Sequence, residues 1–344
     1  NWGLSQCNTA PGLPQPGDIV IFPNGANALL SRSVNVRSIT VDPYAIFRWQ
    51  SGSITLLDNT NPGTMTNAGL LRLATNTTRF LAGVVVNTGT LLHEEGSVGF
   101  NGASLQNRGV AEVRSGSWYA NTGTNSLVNT GTLTKTTTNS FSIGVPMQQQ
   151  DTTVEVQAGT LSLSGGGTHQ SVRWRVANGA ALAFGGTHAL LNNDWGATLQ
   201  GTVRLGSGTY TVSGAWRSQV GGAFVQQSGA TVQASGATTF DLTGTGYQWQ
   251  GGALDGGSAG ITNAGLLRLA TNTTRFLAGV VVNTGTLLHE EGSVGFNGAS
   301  LQNRGVAEVR SGSWYANTGT NSLVNTGTLT KTTTNSFSIG VPMQ

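Results

Sequence analysis

The stretch Asn87-Thr88-Gly89-Thr90-Leu91-Leu92-His93-Glu94-Glu95-Gly96-Ser97-Val98-Gly99-Phe100-Asn101-Gly102-Ala103-Ser104-Leu105-Gln106-Asn107-Arg108-Gly109 opens and closes on the same signal, Asn-x-Gly. The signal recurs on both sides, at Asn67-Ala68-Gly69 and Asn129-Thr130-Gly131, with spacings of 20, 20 and 22. Self-similarity at such a period marks a repeat architecture. Aligned on the asparagine, Leu71, Leu91 and Ala111 share one column. Leu73, His93 and Val113 share a second, and Thr78, Val98 and Trp118 a third. Apolar positions two apart, separated by polar ones, have strand periodicity. The Asn and Gly columns read as turns, because both residues tolerate positive φ. A chain that turns at fixed columns stacks each coil on the last, its strands pairing in parallel about 4.8 Å apart. The expected fold is all-β, a parallel β-helix (β-solenoid) of roughly 20-residue coils. Asn67, Asn87, Asn107 and Asn129 are then a structural turn ladder, sharing side-chain amide hydrogen bonds between coils.

The ladder motif belongs to a larger duplication. Residues Thr66 to Gln148 recur unchanged as Thr262 to Gln344, 83 residues at an offset of 196. The second ladder is Asn263, Asn283, Asn303 and Asn325. The chain therefore reads as four segments: an N-terminal cap with first strands (1–65), a repeat copy (66–148), an irregular solenoid segment (149–261), and the identical second copy (262–344). In the first segment Gly17 to Phe22 and Val34 to Val41 read as strands, and Pro11, Pro14 and Pro16 precede them.

Composition narrows the classes. Of 344 residues, 9% are charged, against about 25% in an ordinary globular chain. Glycine supplies 51 residues, and 37% are apolar, which argues against a helical bundle and against charge-driven disorder. Eight prolines without a Gly-X-Y period exclude collagen. No apolar run is long enough for a membrane-spanning helix. Net charge is +3, with no basic cluster, so nucleic acid is not an expected partner. Low charge leaves little self-repulsion and favours association. The chain starts Asn1-Trp2, as a mature exported protein or an excised fragment does. Cys7, the single cysteine, has no internal partner and is a candidate for an intermolecular contact.

The Asn-x-Gly-x-Leu turns (Asn87 to Leu91, Asn129 to Leu133), the Gly-Thr-His steps at Gly167 and Gly186, and the Pro16-Gly17-Asp18-Ile19-Val20 lead-in resemble secreted bacterial β-helix surface proteins. These are of the filamentous-haemagglutinin and autotransporter-passenger kind. The resemblance implies an extracellular, cell-surface protein: an adhesin, a surface fibre or a matrix component.

The same residues bear on enzyme chemistry. Glycoside hydrolysis needs two carboxylates across a cleft. The adjacent pairs, Glu94-Glu95 and Glu290-Glu291, are one site in two copies, and strand neighbours point to opposite faces. A cross-coil ion pair between Glu94 and Arg114 fits their shared column better. Asp151, Glu155, Asp194, Asp241 and Asp255 are scattered. His93 and His289 fall in an otherwise apolar column, as core histidines do, and His169 and His188 sit where they could stack. No metal site, cofactor or catalytic residue is expected. Trp174, Trp195 and Trp216 lie in the irregular segment, where an exposed row would contact glycan rings. The expected function is structural: a β-solenoid forming or belonging to a bacterial surface fibre by head-to-tail association with its own copies. The alternative is a glycan-binding adhesin, followed by a polysaccharide-degrading β-helix enzyme.

Overall fold

The computed structural model describes residues 14–58, 61–196, 199–218 and 221–344. Among them the regular structure is strand throughout, with no helix. The chain divides into two compact units, Asn1–Gly166 and Gly167–Gln344. The division falls inside the segment read as irregular solenoid. Each unit is a parallel β-solenoid.

One coil of the first unit illustrates the plan. It runs as a short strand, Thr90–His93, then a long one, Ser97–Asn107, which bends near Gly102 into two halves. Leu91 pairs in parallel register with Leu71 one coil earlier and with Ala111 one coil later. Leu105 pairs likewise with Val85 and Leu127. Side chains alternate between a buried and an outward position along each run, so the apolar columns line one continuous interior. Each coil buries its inward face only against its neighbours, the quasi-one-dimensional logic of solenoids.

The third sequence column slips by one residue. Ser97 pairs with Thr78 and Val98 with Arg79, so this coil is one residue shorter than the next. A one-residue shift exchanges inside for outside. Arg79, not Thr78, therefore enters the interior, and Phe80 turns outward. Ile19–Phe22 already pairs with Ser38–Val41, and Ala28 stacks on Phe47. The expected strand over 34–41 is broken at Arg37, whose backbone N–H donates to Asp18 O at 2.9 Å. Leu57 pairs antiparallel with Pro62, and Asp58 with Asn61.

The turn glycines have two different causes. Gly96 and Gly116 adopt φ of +85° and +111°, the left-handed region that glycine tolerates. The glycines of the Asn-x-Gly turns do not, which corrects the φ-based reading of that column. Their constraint is space: a Cβ on Gly109 would overlap the carbonyl oxygen of Gly89 beneath it, and one on Gly131 that of Gly109. Gly109→Ala is expected to cost about 1–3 kcal/mol through overpacking, read as a lower denaturant midpoint. Arg108→Ala in the same turn should leave the midpoint within about 0.5 kcal/mol of the parent.

Candidate functional site

The asparagines of the turns form the ladder. Asn67 donates from Nδ2 to Asn87 Oδ1 at 2.7 Å, Asn87 to Asn107 at 2.7 Å, and Asn107 to Asn129 at 2.6 Å. The second copy repeats this from Asn263 to Asn283, Asn303 and Asn325 at 2.7 Å per step. The other Nδ2 proton reaches the backbone of the next coil, as from Asn87 to Val110 O at 3.0 Å. Only a short amide supplies both an acceptor and two donors at this reach; an aspartate has no donor. The first rungs are incomplete: Asn67 and Asn263 rest on Val41 and Phe240, and their Oδ1 atoms accept no hydrogen bond among the described residues. At the other end of the first ladder, Asn129 donates to the Thr152 hydroxyl at 3.2 Å.

Beside the ladder the interior contains charge that the column reading missed. Arg79 is fully buried. Its Nε donates to Trp49 O at 2.9 Å, Nη1 to Thr77 O and Glu95 O at 3.3 Å each, and Nη2 to Thr75 O at 2.7 Å and the Thr75 hydroxyl. All five guanidinium donors are used. They tie together backbone from three successive coils at one corner. Burial draws the guanidinium down to about 10, so it remains a cation at neutral pH. Arg275 makes the same set of contacts in the second copy. Alternation would have found both: two residues before the inward Leu81 is Arg79.

His93 is a core histidine in the same corner. Its Nδ1 accepts from Trp118 Nε1 at 2.8 Å, so Nε2 carries the proton and donates to Gly96 O at 3.1 Å. Burial, with a smaller contribution from Arg79, holds the imidazole down at about 4, against the bond to Gly96 O that raises it. His289 repeats this with Trp314 and Gly292. Lys135 occupies the column of Leu73, His93 and Val113 and is buried, its ammonium donating to the Thr137 carbonyl and to Ala158 O at 3.4 Å.

In the second unit the three tryptophans form no outer row. Trp174, Trp195 and Trp216 are each 0% exposed, which removes them as glycan contacts. They lie one above another inside the coils, Trp174 stacked on Trp195 at 5.5 Å and 14°, and Trp195 tilted at 42° against Trp216 at 5.2 Å. Strand alternation turns Trp174 and Trp216 inward, and ring contacts across the coil spacing hold the three together. Their indole N–H groups have no hydrogen-bond partner among the described residues. His169 and His188 meet at 3.0 Å between Nε2 and Nδ1, with rings stacked at 5.2 Å. Burial takes His169 to about 3. Cys7 lies outside the described residues.

Several carboxylates are engaged in ion pairs on the outer surface. Glu94 bridges Arg72 at 2.8 Å and Arg114 at 2.9 Å, and Arg114 also holds Glu112 at 2.8 Å. Asp194 pairs with Arg173 and Asp241 with Arg217, both well exposed. Among the described residues no group of three or more His, Cys, Asp or Glu is placed to hold a metal ion. The interior gaps are lined by apolar side chains, such as Trp49, Met65 and Phe100 in one unit and Trp249, Leu267 and Phe296 in the other. The arrangement thus uses its polar chemistry to hold coil to coil.

Two outcomes follow for stability. Arg79→Met strips the carbonyls of Trp49 and Thr75 of their donor and is expected to cost about 3 kcal/mol in chemical denaturation. Arg79→Lys should rescue it only in part, since an ammonium lacks the five-donor fork. For pH, the unfolded imidazoles titrate near 6.5 and the folded ones of His93 and His289 at about 4. Between these values the unfolded chain binds more protons, so stability falls as pH falls. The contribution is complete above about 6.5 and reaches about 3 kcal/mol per histidine. His93→Leu should flatten the slope between pH 6.5 and 4 in denaturation curves. No family model, curated protein or solved structure matches the chain.

Proposed function

We propose that this protein is a structural element of an extracellular fibre on a bacterial surface, associating end-on through the backbone edges of its coils. The observation that carries the reading is how the reactive side chains are used. Arg79, His93, Lys135 and the asparagines each make at least one hydrogen bond to a neighbouring coil, and their others close turns of their own coil. A chain built for chemistry would leave such groups converging on a cleft. Solenoid ends, by contrast, offer unpaired strand edges that take up further chains.

The reading also accounts for the aromatic interior and the low charge. Stacked tryptophans give each coil interface a large apolar payload. Few charges keep like ends from repelling one another. We assign no catalytic role to any residue. The test is immunogold electron microscopy of the producing cells with antibodies raised against the folded chain. Gold along filaments outside the cell envelope is expected; label confined to the cell interior would overturn the reading.

A further inference from the structure

At one bend of the first repeat copy the chain fans outward. Leu81, Phe100 and Ala120 share a column, and so do Val84, Ser104 and Ser126. Between these columns the first coil spends two residues (Ala82 and Gly83), the second three (Asn101 to Ala103) and the third five (Asn121 to Asn125). The two residues that lengthen the third coil to 22 both enter this loop. Extra residues of this kind re-aim side chains, and they concentrate beside functional sites. Here Asn121, Thr122, Gly123 and Thr124 are exposed. Asn125 fixes them from below. Its Nδ2 donates to Thr122 O at 3.0 Å and to Gly123 O at 3.1 Å, and its Oδ1 accepts from the Ala103 N–H at 2.9 Å.

Beside the loop lies an aromatic plate on the outer face. Phe80 and Tyr119, two coils apart, lean together over Gly99. A Cβ there would lie 2.8 Å from Phe80 Cδ1 and 2.8 Å from the Tyr119 hydroxyl. Both rings are half-buried. Two residues beyond Gly99, Asn101 Oδ1 accepts from Asn121 Nδ2 at 2.8 Å and from the Thr122 hydroxyl at 3.1 Å. Those bonds leave the Asn101 Nδ2 donors and the Asn121 Oδ1 acceptor side by side, without a protein partner among the described residues. The strands Thr78–Asn87, Ser97–Asn107 and Gly116–Thr122 carry a single charged residue, Arg79, and it is buried inside.

We propose that Phe80, Tyr119 and the Asn101–Asn121 amide pair form a binding site for a neutral saccharide. A sugar offers an apolar C–H face to a ring, and its hydroxyls both donate to and accept from a neighbouring amide. An apolar surface with a few placed polar groups fixes the orientation of such a ligand. Tyr119 and Asn121 stand about 7 Å apart along the chain, a span one sugar ring bridges. These strands offer an anionic ligand no exposed cation. The second copy repeats the arrangement. Asn317 donates to Asn297 Oδ1 at 2.7 Å, and the Thr318 hydroxyl at 3.2 Å. Asn321 fixes the loop at 3.0 and 3.1 Å, and Phe276 and Tyr315 meet over Gly295. The chain thus carries the site twice. The site does not depend on end-on association.

The experiment places the folded full chain on an array of immobilised neutral and acidic oligosaccharides. Retention by neutral members is expected. The strongest neutral binder is then titrated into chain isotope-labelled in its asparagine side chains. The Nδ2 resonances of Asn101 and Asn297 should shift, while those of the ladder residues Asn87 and Asn283 stay in place. Tyr119→Ala combined with Tyr315→Ala should weaken binding by about tenfold or more. Tyr119→Phe with Tyr315→Phe keeps the rings and should stay within about threefold of the parent. Asn121→Ala with Asn317→Ala, at exposed positions, should weaken binding without moving the denaturation midpoint. Retention by no neutral oligosaccharide would overturn the inference, as would retention by acidic members alone. So would binding that survives loss of both tyrosines and both asparagines, or that shifts the ladder resonances and not Asn101 and Asn297. The fibre reading is decided separately, by where the gold label falls.

Discussion

Inside a parallel solenoid every side chain rests on its counterpart one coil earlier, about 4.8 Å away. That spacing decides which residues the interior tolerates. A column of equal charges could not stack at this distance, whereas amides and flat rings can. Asparagine repeats along the ladder because each amide donates upward and accepts from below. Glycine repeats in the adjoining column because the backbone of one coil occupies the volume a Cβ would need in the next. The tryptophans of the second unit obey the same spacing with their ring faces.

The exceptions are single residues inserted into otherwise apolar columns. Arg79 and His93 break their columns and sit at one corner, where strands stop and carbonyls lose their ladder partners. A buried polar group costs free energy unless it is hydrogen-bonded, and so does a buried carbonyl. Placing an arginine among unpaired carbonyls satisfies both deficits together. It also explains why the charge sits in the shorter coil, where the slip turns residue 79 inward. The outer ion pairs are a separate device. Glu94 with Arg72 and Arg114 links three coils, but partly exposed pairs contribute at most about 1 kcal/mol each.

Much of the molecule was legible in the chain because a solenoid's long-range contacts are periodic in sequence. The spacing of 20 residues between Asn87 and Asn107 already states which strands touch, and the asparagine column states what joins them. The pairing of Glu94 with Arg114 was readable for the same reason. Period alone failed where a coil lost a residue, since alternation then swaps faces: the column of Val98 and Trp118 takes in Arg79 and not Thr78. It also could not tell a glycine held by φ from one held by crowding, because that depends on the backbone overhead. Nor could it say whether Trp174, Trp195 and Trp216 faced water or one another. The order of the stack came from the sequence. The facing of each side chain, and the groups that cap the corners, were decided only when the coils closed on each other, because both depend on atoms a whole turn away.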